Sequence, residues 1–108
     1  MAITLPSHAV VRVSRGDFDL ARFAEVERMA KDSGAYLIPK IKALSGLAGY
    51  FVACSPSGTM THVSLWNSDA EASQMGKLKE MTVDARQAAE AVGVRFVPIV
   101  NYPIVWTI

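Results

Sequence analysis

The first part of the chain alternates between two faces, as a β-strand does. Within residues 8–14, Val11 and Val13 fall on one face while Arg12 falls on the other. This alternation predicts a first strand over the segment. The Arg-Gly-Asp sequence at residues 15–17 is expected to end it.

A helical period of apolar residues follows the first strand. Asp17 or Asp19 can cap this helix, because a carboxylate accepts hydrogen bonds from the free N–H groups of a first turn. The apolar stripe begins at Leu20 and continues as far as Leu44. A glycine and Pro39 interrupt the stripe, so we expect a kink, or two helical pieces, between Ser33 and Ile41.

Two strands joined by a turn come next. Residues 46–55 are rich in aromatic and β-branched side chains, and the sequence Pro-Ser-Gly-Thr at residues 56–59 is typical of a turn. Residues 60–66 then return as the third strand of a hairpin. On that strand His62, Ser64 and Trp66 share one face, which is an unusual concentration of polar groups for a small fold.

The length of the hairpin connection decides what faces these polar groups. A three-residue connection would set Tyr50 opposite Ser64 and Val52 opposite His62, so that all of them share a face with Trp66. A two- or four-residue connection would move Tyr50 away from His62. The sequence leaves both registers open.

The last third of the chain predicts a helical region and a final strand. Ser68 and Glu71 match a capping box, in which the Ser side chain accepts from a first-turn N–H and the Glu side chain reaches back. Gly76 is expected to divide the helical region and Gly93 to end it. Residues 94–108 form the last strand, and two prolines within it place part of the segment at an edge or bulge.

These elements follow the order β-α-β-β-α-β, which predicts one domain over residues 1–108. The fold class is α+β and ferredoxin-like, with two helical regions covering one face of a four-stranded antiparallel sheet. The other face is left bare, although 51% of the residues are hydrophobic. A second copy of the chain would cover that face economically, so we expect a homodimer that associates through its sheet.

Charge and cysteine content narrow the classes of partner and compartment. The 11 basic and 10 acidic residues nearly balance, so no long-range field favours nucleic acid or an anionic membrane. The uncharged run from Ala43 to Ser68 contains a turn and several hydroxyls, so we do not expect a membrane span. Residues 1–10 do not resemble a signal peptide. The single Cys54, expected to be a buried and inert thiol, fits a reducing cytoplasm.

Nearly the whole chain, residues 8–106, resembles a known superfamily. The motifs are a long first helix with a Pro near its end, a Gly-x-x-Gly-Tyr approach to strand two, a Gly-containing hairpin, and Trp-x-Ser-x-x-Glu before the second helix. They resemble those of the dimeric α+β barrel superfamily, which includes the antibiotic biosynthesis monooxygenases. The residues that carry the match are Pro39, Gly46, Gly49, Tyr50, Gly58, Trp66, Ser68, Asp69 and Glu71.

The resemblance implies a homodimer, and a cavity between the sheet and helices of each subunit. It also implies binding of a small apolar or aromatic ligand, and a cofactor-independent monooxygenase of phenolic or quinol compounds as the concrete enzyme. In that reading His62 is the catalytic base or anion partner. The predicted substrate contacts are Trp66 as a pocket wall and Arg12, Asn67, Tyr50 and Ser64 as polar groups, with Asn101 and Tyr102 as further hydrogen-bonding candidates.

The same residues also have structural interpretations. Trp66 can be core mass with its N–H bonded to backbone, His62 can be a satisfied core residue, and Arg12 can form a salt bridge at the rim. On that interpretation the protein is a non-catalytic, stress-associated or regulatory binding module built on the same dimeric barrel.

We expect neither a metal nor an organic cofactor. The two histidines, His8 and His62, are far apart and form no closely spaced ligand pair with each other or with Cys54. The sequence contains no glycine-rich phosphate loop. Haem is disfavoured by the resemblance, because the haem-degrading relatives use a histidine from the second helical region and no histidine follows His62.

Overall fold

The computed structural model describes residues 4–108. The segment for which we expect no signal peptide, residues 1–10, therefore lies partly outside the described residues, because its first three residues are not described. The strands and α-helices are β1 (Val10–Asp17), α1 (Phe23–Lys42), β2 (Leu47–Ser55), β3 (Thr59–Trp66), α2 (Asp69–Ala72), α3 (Arg86–Ala91), β4 (Arg95–Phe96) and β5 (Val100–Pro103).

The strands form one antiparallel sheet in the order β2-β3-β1-β4, and β5 also pairs with β1. The predicted α+β, ferredoxin-like fold is confirmed, with β4 and β5 sharing the fourth position. Pro98 lies between these two short strands and has no N–H to give to the sheet, which fits the predicted interruption. The final strand is shorter than predicted, because residues 104–108 are not in a strand.

The hairpin adopts the three-residue connection. Ser55 pairs with Thr59 across it, Tyr50 lies opposite Ser64, and Val52 lies opposite His62. Gly58 closes the turn with a φ of +101°, a left-handed conformation that glycine adopts without strain. The register that the sequence left open therefore brings Tyr50 to the same face as His62.

Two of the predicted boundaries are wrong. Residues 15–17 do not end the first strand, because Gly16 and Asp17 pair with β3 on one side and β4 on the other. The first helix is one continuous helix of 20 residues, so of the two alternatives, a kink or two helical pieces, the division into two pieces is wrong. Pro39 is exposed on it, so water can satisfy the carbonyl that loses its N–H partner at the proline.

The second helical region begins at the predicted cap. The Ser68 hydroxyl oxygen accepts a hydrogen bond from the Glu71 backbone N–H at 3.2 Å, and the same hydroxyl donates to the Glu71 carboxylate at 3.0 Å. In a full capping box the Glu carboxylate would accept from the Ser backbone N–H, and here it accepts from the Ser side chain. Around Gly76 the chain forms a short 3₁₀ helix, Ser73–Lys77, followed by a π-helical stretch before α3. Gly93 has a φ of +90° just after α3.

The three α-helices, and the helical segments between α2 and α3, pack on one face of the sheet in two apolar clusters. One cluster is centred on Trp66 and Leu37, and the other on Val26 and Met60. The opposite face carries exposed apolar side chains. Among residues 4–108, no helix combines the length and apolar character needed to cross a membrane.

Candidate functional site

A cavity of about 760 Å³ lies between the sheet and the helices. Its wall includes Leu37 and Met75 from the first apolar cluster and Met29 and Met60 from the second, so the cavity separates the two. Small-molecule sites in proteins typically enclose about 300 to 1,000 Å³ between mainly apolar walls. The interior on this face of the sheet is therefore open enough to hold a ligand.

Strand pairing brings polar residues on the helix-covered face of the sheet together in two adjacent rows. In one row Tyr50, Ser64, Arg12 and Asn101 lie side by side across β2, β3, β1 and β5. In the next row His62 lies opposite Ser14. Since all of these positions share the face that the helices cover, their side chains extend toward the cavity side of the sheet.

Tyr50 and His62 form a dyad across the two rows. The Tyr50 hydroxyl oxygen and His62 Nδ1 are 2.7 Å apart, and the two rings meet edge to face with centroids 5.6 Å apart. Burial raises the pKa of Tyr50 well above its ordinary value, with the positive charge of Arg12 partly opposing the rise. Burial lowers the pKa of His62 to about 4. Both side chains are therefore neutral near pH 7.

The tautomer of His62 is assigned from its hydrogen bond to Tyr50. We assign Tyr50 as the donor to His62 Nδ1, because a phenol O–H is a stronger hydrogen-bond donor than a neutral imidazole N–H, and an imidazole nitrogen is a stronger acceptor than a phenol oxygen. The imidazole proton then resides on Nε2. As a neutral ring with an Nε2–H, His62 presents a hydrogen-bond donor.

His62 Nε2 is open to the cavity. It has no partner among residues 4–108, and every fully enclosed side-chain nitrogen or oxygen in that part of the chain has one. Nε2 is therefore not enclosed, and His62 is part of the cavity wall. An oxygen atom of a ligand can accept its hydrogen bond.

Arg12 supplies the positive charge of the site. Its Nη1 donates to Asn101 Oδ1 at 3.2 Å, and Asn101 Nδ2 in turn donates to Asp69 Oδ1 at 3.1 Å. Burial lowers the pKa of Arg12, with Tyr50 and Asp69 opposing that shift, and the guanidinium remains charged. The rim salt bridge considered for Arg12 is not formed with any carboxylate among residues 4–108.

Five of the predicted contacts do not line the cavity wall: Trp66, Ser64, Asn67, Asn101 and Tyr102. Trp66 is fully buried and its indole N–H donates to the Ser64 hydroxyl at 2.8 Å, so these two side chains satisfy each other inside the core. The partner of the Trp66 N–H is a side chain and not the backbone. Asn67 is exposed just after β3, and its backbone N–H donates to the Gly46 carbonyl. Tyr102 lies on the bare face of the sheet, opposite Val11.

Two serines of the wall are not among the residues that the sequence indicates. Ser14 follows Arg12 by two positions, so extending the strand alternation would have found it. Ser33 occupies a buried position within the apolar stripe of α1, where its hydroxyl donates to the Met29 sulfur at 3.6 Å and accepts from the Tyr36 hydroxyl at 3.4 Å. A serine in a helical apolar stripe is the signal that would have indicated it.

The remaining reactive groups have no arrangement that indicates metal or thiol chemistry. Among residues 4–108, no three His, Cys, Asp or Glu side chains are grouped so as to hold a metal ion. Cys54 lies on the cavity wall, and burial together with the nearby Glu27 charge raises its pKa. Its thiol is therefore protonated near neutral pH and a weak nucleophile.

Comparison with known proteins identifies the fold. No family model and no curated protein matches the sequence. Solved structures do match. SnoaB, a cofactor-independent oxygenase from Streptomyces nogalater, is 13% identical over 93% of this chain and 96% of its own, with a TM-score of 0.67. A candidate antibiotic biosynthesis monooxygenase from Caulobacter crescentus is 18% identical over 93% of this chain and 92% of its own, with a TM-score of 0.68.

A dimeric ferredoxin-like protein from an uncultured marine organism matches as well. It is 11% identical over 92% of this chain and 90% of its own, with a TM-score of 0.69. The agreement over nearly the full length of each neighbour shows the fold. The chain has the α+β, ferredoxin-like fold that these neighbours have.

Proposed function

We propose that this protein binds a small, mainly apolar aromatic ligand in the cavity and acts as a cofactor-independent monooxygenase of phenolic or quinol compounds. The observation that carries the proposal is the position of His62, which contacts Tyr50 through Nδ1 and has no partner at Nε2 among residues 4–108, at the wall of an apolar cavity. The similarity in fold to SnoaB, a cofactor-independent oxygenase, supports the same reaction class.

His62 acts in this proposal as an anion partner and not as a general base. Its pKa of about 4 makes the neutral ring a weak base, and in the assigned tautomer its proton lies on the nitrogen that faces the cavity. An Nε2–H can donate to the oxygen of a phenolate, and the nearby charge of Arg12 favours the ionised form of the phenol. Tyr50 is a positioning residue, because it fixes the tautomer and orientation of the ring.

The reaction requires no electron donor besides the substrate. An anthrone bound as its enolate reacts with O₂ at the ring carbon that carries two hydrogens. That carbon loses both hydrogens and gains one oxygen atom as a carbonyl, and the second oxygen atom leaves as water. The substrate supplies both electron pairs that reduce O₂. The protein contributes the donor, the charge and a cavity that excludes bulk water.

We also propose that two copies associate through the bare sheet face. Apolar side chains such as Phe51 on β2 and Val100 on β5 lie exposed there, on the side opposite the cavity. The marine neighbour with the same fold is dimeric. This association leaves the cavity of each subunit away from the interface, because the cavity lies on the helical side of the sheet.

The decisive measurement is oxygen consumption by the purified protein with an anthrone, without added metal or flavin. His62→Ala removes the donor, and we expect it to lower kcat by about 100-fold, the usual size of losing one donor to a developing oxyanion. Tyr50→Phe removes the hydrogen bond to Nδ1, so that either nitrogen of the His62 ring can carry the proton. We expect this variant to lose less kcat than His62→Ala. The matched control is His8→Ala, an exposed histidine outside the cavity.

The outcomes separate an oxygenase from a binding module. Ligand binding without oxygen consumption by the unaltered protein would contradict the oxygenase and support the non-catalytic alternative. Oxygen consumption that His62→Ala leaves unchanged, in a variant with an unaltered melting temperature, would contradict the role given to His62. Equal losses in the His62→Ala and His8→Ala variants would point to an effect unrelated to the cavity.

A further inference from the structure

The guanidinium of Arg12 is a cation with spare donors inside an apolar cavity. Of its three nitrogens only Nη1 has a partner among residues 4–108, the neutral amide of Asn101. Every enclosed side-chain nitrogen in that part of the chain has a hydrogen-bond partner, whereas Nε and Nη2 of Arg12 have none, so these two atoms are not enclosed. Arg12 is also one of the residues that form the cavity wall. A half-buried cation without a facing carboxylate is costly unless an anion joins it.

The Asn101 amide holds this cation in place without neutralising it. The amide accepts a hydrogen bond from Arg12 and donates one to Asp69. The Asp69 carboxylate is therefore connected to the guanidinium only through Asn101. An aspartate at position 101 would have paired with Arg12 directly. The neutral amide fixes the orientation of the guanidinium while its remaining N–H groups stay free for a ligand.

The charges on the cavity wall are predominantly positive. The wall contains four cations, Arg12, Lys31, Lys42 and Arg86, against the single carboxylate of Glu27. Glu27 lies 3.9 Å from Lys31, and Arg86 pairs with Glu90 outside the wall. The cavity therefore favours an anion over a neutral or cationic ligand.

We propose that the natural ligand is an aromatic carboxylic acid, with its carboxylate on the free N–H groups of Arg12 and its ring system in the apolar part of the cavity. This inference rests on the proposed function in taking the cavity as the ligand site, and it names the acidic group that the ligand carries besides its phenol. The carboxylate accepts two parallel N–H bonds from the planar guanidinium. The rows of Arg12 and His62 are adjacent, so one ligand can contact both residues.

A matched pair of fluorescent ligands tests this inference without relying on turnover. The pair is 9-anthroate and anthracene-9-carboxamide, which share one ring system and differ in charge. We expect the full-length protein to bind 9-anthroate at least about tenfold more tightly, since bonds to charged groups commonly contribute that much. Arg12→Gln should bring the ratio of the two dissociation constants close to one.

Two further variants keep the test specific. Asn101→Asp gives Arg12 an internal carboxylate, so it should weaken 9-anthroate binding while leaving the carboxamide unaffected. Arg15→Gln is the matched control, because Arg15 is an exposed arginine on the same strand and on the opposite face. We expect Arg15→Gln to keep the full preference for 9-anthroate. Circular dichroism melts of each variant verify that the fold is retained.

Several outcomes would overturn the inference. They are a ratio near one in the unaltered protein, no binding of 9-anthroate up to its solubility limit, a preference that survives both Arg12→Gln and Asn101→Asp, or a preference lost in Arg15→Gln. A failed oxygenase would look different, because the anthroate preference would persist without any oxygen consumption. Oxygen consumption with an anthrone but no anthroate preference would instead contradict this inference alone.

Discussion

His62 illustrates how far a single residue can be interpreted from the sequence. Its place on a strand face with Ser64 and Trp66 follows from alternation alone. Its contact with Tyr50 does not, because that contact depends on the hairpin register, which a change of one residue in the turn would alter. The separation of His62 from Trp66, one on the cavity wall and the other in the core, depends on how the helices pack, which the strand pattern does not contain.

The buried imidazole should make the protein less stable in acid. Its pKa is near 6.5 when the chain is unfolded and about 4 when folded, so between these values only the unfolded state takes up the proton. The stability associated with His62 is therefore complete above pH 6.5 and falls as the pH drops toward 4. We expect a loss of roughly 2 to 3 kcal/mol in the free energy of unfolding between pH 7 and pH 4.5.

Urea denaturation at the two pH values, at one protein concentration, measures this loss. Glutamine in the His62→Gln variant does not titrate in this range, but it retains an acceptor for Tyr50 and a donor for the cavity. Between pH 7 and pH 4.5 the free energy of unfolding of this variant should therefore fall by roughly 2 to 3 kcal/mol less than that of the unaltered protein. His8→Gln, at an exposed position, should behave as the unaltered protein does. Identical pH dependences in the His62→Gln variant and the unaltered protein would show that the imidazole is not kept neutral by burial.

At the level of the elements, the sequence predicts starts and turns better than continuity. The Ser68 cap and the Gly58 turn were found because each depends on local chemistry within a few residues. The continuity of α1 through Pro39 was missed because it depends on which side of the helix faces water. The extension of β1 to Asp17 was missed because it depends on two neighbouring strands, far away in sequence.

Two glycines should respond in opposite ways to alanine. Gly58 has a φ of +101°, and an added Cβ would lie 2.7 Å from the Phe18 carbonyl oxygen, a backbone atom that cannot move aside freely. We expect Gly58→Ala to lower the free energy of unfolding by about 1 to 3 kcal/mol. Gly76 lies in a 3₁₀ helix with no atom within 4 Å of an added Cβ, so Gly76→Ala should be neutral or slightly stabilising.

Thermal melts at equal concentration compare the two variants directly. For a domain of this size, 1 kcal/mol corresponds to a change of about 4 to 8 °C in melting temperature, so the difference is well within measurement. A Gly58→Ala variant with the same melting temperature as the unaltered protein would mean that the turn can relax away from Phe18. A large destabilisation by Gly76→Ala would mean that its surroundings are more crowded than the structure indicates.

At the scale of the whole molecule, the two faces of the sheet have different roles. One face carries the polar rows and the cavity beneath the helices, and the other carries exposed apolar residues, including Phe51 and Tyr102. The strand pattern predicts that both faces are covered, since strands that are apolar on both faces need a cover on each side. It does not predict the cavity, which only the family resemblance implies, because open space is a result of packing between the helices and the sheet and has no pattern of its own.

Association through the bare face should therefore be separable from ligand binding. Native mass spectrometry at micromolar concentration should show twice the 11.7 kDa chain mass. Phe51, 60% exposed on that face, becomes a buried charge at the interface in Phe51→Lys, so this variant should be monomeric. Leu20→Lys, at a site 63% exposed just before α1, should remain dimeric and serves as the control. A monomeric unaltered protein, or a dimeric Phe51→Lys variant, would exclude the proposed interface, because a lysine cannot be buried there without losing most of the association energy.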